Sequence, residues 1–74
     1  MVIICTEHAK ARMKHRCILK SEVEETVFHP NFTIPSRFDR FIAVKKYDDK
    51  YLKAIYEKSN DKITVITVYW TRRP

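Results

Sequence analysis

The stretch Phe41-Ile42-Ala43-Val44-Lys45-Lys46-Tyr47-Asp48-Asp49-Lys50-Tyr51-Leu52-Lys53-Ala54-Ile55-Tyr56-Glu57, resumed at Ile63-Thr64-Val65-Ile66-Thr67-Val68-Tyr69-Trp70, decides the fold. β-Branched and aromatic residues dominate three runs, and the polar clusters Asp48-Asp49-Lys50 and Lys58-Ser59-Asn60-Asp61 separate them. Such residues fit a pleated surface, and connections this short join antiparallel neighbours. The pattern predicts a meander of strands over residues 41–47, 51–57 and 62–70. The last run is apolar on both sides, which places it centrally or beneath helices. On plain alternation Ile63, Val65, Thr67 and Tyr69 share one face, and Thr64, Ile66, Val68 and Trp70 share the other. Either Tyr69 or Trp70 then closes the core. Tyr56 alternates with Leu52 and Ala54, so its ring is expected to pack.

Upstream the period changes. Val2-Ile3-Ile4-Cys5 reads as a strand or an extended lead-in. Thr6 offers a side-chain oxygen at an N-cap and Glu7 an anion in the first turn, which predicts a helix running to about Arg16. Cys17, Ile18 and Leu19 make a tight apolar connection. Ser21 and Glu24 have capping-box spacing, and Val23, Val27 and Phe28 supply one face of a second helix that Pro30 ends. Phe32-Thr33-Ile34 is a brief extended piece closed by Pro35, followed by a turn-like stretch from Ser36 to Arg40. The simplest closed solution is an α+β domain spanning residues 1–74: two N-terminal helices packed on a three- to four-stranded, mostly antiparallel twisted sheet.

With 74 residues, roughly 60–65% of the unfolded surface is buried on folding, enough for one core and one domain. Four Phe and one Trp are available to fill it. There is no glycine, which excludes a P-loop or a glycine-rich nucleotide loop. Positive φ therefore falls to Asn60, Asp61, Asp48 or Asp49. Fifteen Lys and Arg against nine Asp and Glu leave a net charge of +6, an attraction for polyanions or an acidic protein. Cys5 and Cys17 are too few for a disulfide scaffold and read as buried, reduced thiols in a cytoplasmic protein. No leader pattern and no apolar run near 18 residues is present, so neither secretion nor a membrane span is expected.

The chemistry-bearing residues concentrate in the first helix. His8, Arg12 and either His15 or Arg16 recur at three- and four-residue spacing and project together. A phosphate-handling site needs such fixed cations beside a titratable group. No His-Glu-x-x-His pattern or paired cysteine spacing suggests a metal, and no cofactor is implied.

Thr6-x-His8-Ala9-x-x-Arg12-Met13-x-x-Arg16-x-Ile18, then Glu22-Val23, a proline at 30, and Ile63-x-Val65-Ile66-Thr67-Val68-Tyr69 followed by Arg72, resemble a family of short uncharacterised prokaryotic domains related to the RelE/ParE and BrnT-like toxins of type II toxin–antitoxin systems. The resemblance spans nearly the whole chain. It implies a RelE-like toxin fold, cleavage of messenger RNA, often at the ribosome, and silencing by an antitoxin. Where such domains tend to carry Gly and then Ser before the second helix, this chain has Cys17 and Leu19, with Ser21 as the replacement cap.

The expected activity is a metal-independent endoribonuclease acting on single-stranded mRNA. The alternative is a non-catalytic nucleic-acid-binding or protein-interaction domain. Metal-free cleavage needs a proton acceptor, a proton donor and fixed cations on the transition-state phosphate. His8 is the base or acid, and Arg12 and Arg16 are the stabilising cations. Each has a structural alternative: His8 bonded to backbone or water, the arginines paired with Glu7, Glu22 or Asp39. Lys45, Tyr69 and Arg72 are candidate substrate contacts, although Arg72 beside Arg73 equally reads as a solubilising tail. The expected partners are an acidic antitoxin, RNA or the ribosome, and a second copy joined through a sheet edge.

Overall fold

The computed structural model describes residues 2–73. The chain runs β1 (Val2–Cys5), α1 (Glu7–His15), α2 (Lys20–Phe28), β2 (Phe32–Pro35), β3 (Arg40–Tyr47), β4 (Lys50–Ser59) and β5 (Lys62–Thr71). All five strands join one sheet in the order β1-β5-β4-β3-β2. The meander β2–β3–β4–β5 is antiparallel, whereas β1 pairs parallel with β5 from Val2↔Lys62 to Cys5↔Val65.

This corrects the expected architecture. The helices do not precede the sheet; they lie between its first two strands, and the sheet is five-stranded and mixed. Both extra strands are four-residue edge strands, too short to display an alternation of their own. β1 finds its partner about sixty positions downstream, and a parallel pair needs a long crossover rather than a hairpin. Pro35 sits at an edge, where its missing N–H costs no ladder bond. β5 lies between β1 and β4, the central position expected of it.

Both helices cover one side of the sheet. Ala9 and Met13 from α1, Ile18 from the connection, and Val23 and Val27 from α2 pack on Leu52, Ala54, Ile63, Val65 and Val68, with Tyr47, Tyr56 and Trp70 around the rim. The core is therefore built from Val, Leu, Ile and Ala. Of the phenylalanines expected in it, Phe28, Phe32 and Phe38 are exposed, while Phe41 stacks on Tyr56 at 5.5 Å. Trp70 meets Tyr47 edge-on at 5.6 Å on the helix side, which settles its face.

Plain alternation fails along β5. Ile55 pairs with Thr67 and Tyr56 with Val65, so Ile66 has no partner. This bulged residue shifts the side-chain phase. Ile63, Val65, Val68 and Trp70 consequently share the helix side, leaving Thr64, Thr67 and Tyr69 on the other. Thr6 locks the bulge to α1. Its Oγ1 accepts from the Ala9 N–H at 3.1 Å, as the expected N-cap, and donates to the Ile66 carbonyl at 2.9 Å.

α2 starts two residues earlier than the Ser21–Glu24 spacing suggested. Leu19 is its N-cap, and the Glu22 carboxylate accepts from the Leu19 N–H at 2.9 Å. Leucine has no side-chain acceptor, so only this reciprocal half of a capping box forms. Positive φ occurs at Asp48 and Asn60, as expected, and also at Cys17, Phe38 and Asp39. Cys17 is exposed rather than buried.

Candidate functional site

The sheet has a side that no described element covers. Its residues follow from the register, because side chains opposite the helix-facing set alternate with it. One cross-strand row is Phe32, Val44, Lys53 and Tyr69, and the next towards the β3–β4 turn is Lys46, Tyr51 and Thr71. A third row, Ile34, Ile42, Ile55 and Thr67, is mostly apolar, and a fourth pairs Arg40 with Glu57 and Thr64.

Two lysines and two tyrosines are thus direct cross-strand neighbours: Lys53 with Tyr69, and Lys46 with Tyr51. Phe32 flanks them, 40% exposed, and Tyr69 is 36% exposed. Val44 is fully buried between Phe32 and Lys53, so it acts as the floor of the patch. The acid on this face, Glu57, accepts from Arg40 Nε at 3.0 Å, which leaves the lysines as its uncompensated charge. Among the described residues neither Lys46 nor Lys53 forms an ion pair. Ammonium groups beside aromatic rings on an open sheet can hold phosphates while bases stack.

The residues singled out from the sequence are distributed over three surfaces. His8, Arg12 and His15 come together with Ala11 around a shallow depression of about 240 Å³ on the outward side of α1. Arg16 stands outside it, as the C-cap whose N–H donates to the Arg12 carbonyl. Among the described residues neither arginine forms an ion pair: Lys10 engages Glu7 at 3.9 Å, and Glu22 caps α2.

Lys45 points to the helix side. Its Nζ donates to the His29 carbonyl at 2.7 Å and approaches Glu25 at 4.0 Å, so it ties the end of α2 to β3. Tyr69 lies on the open side. Arg72 reaches Asp49 at 3.6 Å beside Lys50 and Trp70, at the end of the sheet. Lys50 itself lies over the Trp70 ring at 4.2 Å.

Lys46 and Tyr51 are the site residues that sequence reasoning passed over; Lys53 is legible there as a cation the sheet supplies along with Lys45, Tyr56 and Tyr69, but not as a substrate contact. In β3 Lys45 and Lys46 are adjacent and therefore on opposite faces, and local sequence does not say which face the helices cover. The signal that could have separated them is the match of Lys45 with Ala43 and Tyr47 on the β3 face that continues Leu52 and Ala54.

A further depression of about 290 Å³ lies at the β1 edge, lined by Ile3, Ile4, Cys5, Lys10, Met13 and Lys20. Burial pushes the Cys5 thiol above its ordinary value; Lys20 and Lys10 pull it back in part. Among the described residues no three His, Cys, Asp or Glu side chains are grouped to hold a metal ion. No helix there is long and apolar enough to cross a membrane.

A family model described as a domain of unknown function (DUF4258) matches residues 5–70. No curated protein and no solved structure matches the chain.

Proposed function

The chain belongs to the DUF4258 family, and from that premise we propose that it is a toxin-like domain that binds single-stranded RNA on the open side of its sheet. The observation carrying this reading is the adjacency of Lys46, Lys53, Tyr51, Tyr69 and Phe32 on a face that no described element covers. Lysines neutralise phosphates, and each stacked base contributes about 1–3 kcal/mol. The net charge of +6 adds long-range attraction. The resemblance to RelE/ParE and BrnT-like toxins directs the reading to messenger RNA. It also directs it to an acidic antitoxin, whose carboxylates would compete for the same lysines.

Fluorescence anisotropy with a labelled oligo-U strand tests it. Affinity is expected to fall steeply between 50 and 200 mM salt, about 0.7 log units per log unit of salt for each phosphate neutralised. Lys53→Ala and Tyr69→Ala are each expected to weaken binding about five- to fiftyfold, from the stacking and charge magnitudes above. Phe28→Ala, on α2, serves as the control. If the Lys53→Ala/Tyr69→Ala double variant binds like wild type, the open face is not the RNA site.

A second reading, metal-independent endoribonuclease activity, is favoured by the grouping of His8, Arg12 and His15 on one helical face. His8 would withdraw or return the proton while Arg12, with Arg16 one turn on, stabilises the phosphate. Binding stands ahead of cleavage because, among the described residues, no hydrogen bond orients either imidazole. Acid–base chemistry depends on held geometry. Incubating RNA in EDTA with wild type, His8→Ala and Arg12→Ala, and examining the ends for a 2′,3′-cyclic phosphate, separates the two. Intact RNA with wild type, alone and on ribosomes, removes the enzyme reading.

A further inference from the structure

α1 turns only Ala9 and Met13 towards the sheet; Lys10, Ala11, Arg12, Lys14, His15 and Arg16 are all exposed. Four of these are permanent cations. The acid on the helix, Glu7, is loosely matched with Lys10, and both are exposed. Among the described residues Arg12, Lys14 and Arg16 have no ion-pair partner. Arg12 sits between His8 and His15 around the shallow depression, with Arg16 about 6 Å further along the axis at 1.5 Å per residue.

This ridge differs in chemistry from the open sheet face. Its rings are the small imidazoles of His8 and His15; it carries none of the larger Tyr, Trp or Phe rings of the open face and no large apolar side chain to enter a lipid layer. It is the outer surface of a single helix, dented by the shallow depression at Arg12, and permanent charge dominates it. The ridge also lies on the opposite side of the sheet from Lys53 and Tyr69, with the packed helix–sheet layer between them. A strand lying on one surface does not reach the other.

We propose that the outward face of α1 is a docking ridge for the phosphate backbone of duplex RNA, used while a single strand occupies the open sheet face. Duplex RNA hides its base edges and is recognised by its regular phosphate rails and shape. Cations repeated along a rigid helix match that target, and the Arg12 fork can take two phosphate oxygens at once. An irregular acidic polypeptide offers no such repeat. The single-strand half of this arrangement rests on the function proposed above; the duplex half does not.

The test uses the full chain, a labelled blunt RNA duplex of about 16 base pairs and labelled oligo-U. Charge reversal by Arg12→Glu with Arg16→Glu is expected to weaken duplex binding at least about tenfold at low salt, since screened phosphate contacts dominate such affinity. Oligo-U binding, read at about 150 mM salt where long-range attraction is largely screened, should fall by less than about threefold, the share that the lost net charge carries. Lys53→Ala with Tyr69→Ala should do the reverse, and saturating unlabelled oligo-U should leave the duplex bound. Both α1 positions are exposed, and circular dichroism with Arg12→Ala and Arg16→Ala checks that the fold persists. The inference is overturned if oligo-U displaces the duplex, if the α1 variants bind duplex like wild type, or if polyglutamate or anionic vesicles bind the ridge as tightly as duplex. Wild type that binds duplex but not oligo-U overturns the proposed function and leaves the ridge standing.

Discussion

Cys5 and Cys17 show how one residue type takes two characters from its surroundings. Cys5 lies half-buried against the core, lining the same depression as Ile3 and Met13, and burial raises its thiol above the ordinary range, with Glu24 adding to the effect and Lys20 and Lys10 opposing it. Cys17 is exposed at the end of α1, with φ at 55°. The thiolate is the reactive form. Iodoacetamide near pH 8 is therefore expected to label Cys17 well before Cys5, as followed by peptide mass spectrometry; equal rates would refute the burial argument. The linkage sign follows. As pH rises through the ordinary thiol value, Cys5 of the unfolded chain ionises first, so the unfolded state binds fewer protons and folded-state stability falls. Below that range Cys5 adds no pH dependence. Other single residues were only partly legible. Asp48 and Asn60 were foreseeable at positive φ because their side chains tolerate the left-handed region. Phe38 was not: it holds φ at 55° while 83% exposed, in a turn where Phe38 and Asp39 are both left-handed and the Arg40 N–H donates to the Arg37 carbonyl. That type I′ geometry is demanded by the twist of the β2–β3 hairpin, and no property of Phe signals it.

At the scale of elements, the junction of β1, α1 and β5 rests on Thr6. Its hydroxyl caps α1 and holds the carbonyl of the bulged Ile66, while its own N–H donates to the Val65 carbonyl at 3.0 Å. Thr6→Ala is expected to lose about 1–2 kcal/mol, the range for N-cap truncation with a second hydrogen bond removed. Thr6→Ser should restore most of it. Urea denaturation measures both, and a Thr6→Ala loss no larger than that of Thr6→Ser would contradict the double role. The cap itself was legible, because it reaches only three residues along the chain. The bulge was not, since it is a mismatch between two strands and belongs to neither. α2 illustrates the intermediate case. Ser21 and Glu24 carry the local capping pattern, yet the helix begins two residues earlier. That register directs Val23 and Val27 into the core and lets Thr26 meet both the Glu22 carbonyl at 2.8 Å and the Tyr47 hydroxyl. Packing against the sheet outweighed a local signal worth a fraction of a kilocalorie to about one.

For the whole molecule, the two sides of the sheet should differ sharply in what they contribute. Leu52 is fully buried under the helices, whereas Ile55, three positions on, faces the open side and is half-buried. Leu52→Ala is expected to cost about 2–4 kcal/mol and Ile55→Ala under about half that, because a residue with water on one side leaves no closed cavity. Chemical denaturation of both variants decides it; equal losses would mean that the open side is covered in solution. That asymmetry is also what makes Lys46, Lys53, Tyr51 and Tyr69 a candidate site, and it marks the division between what was written locally and what was not. The sequence by itself determined the three long strands, the two helices, the N-cap at Thr6, the cationic excess and the grouping of His8 with Arg12, because each depends on neighbours within about one turn or one strand. Tertiary structure decided that β1 closes beside β5, that Ile66 bulges, that Lys45 serves α2 while Lys46 and Lys53 face out, and that the basic helix and the lysine–tyrosine patch lie on opposite sides. These are choices of partner between segments up to sixty residues apart. Strand pairing and the burial of one sheet face are settled by the summed apolar area the whole chain can remove from water, and no local window contains that sum.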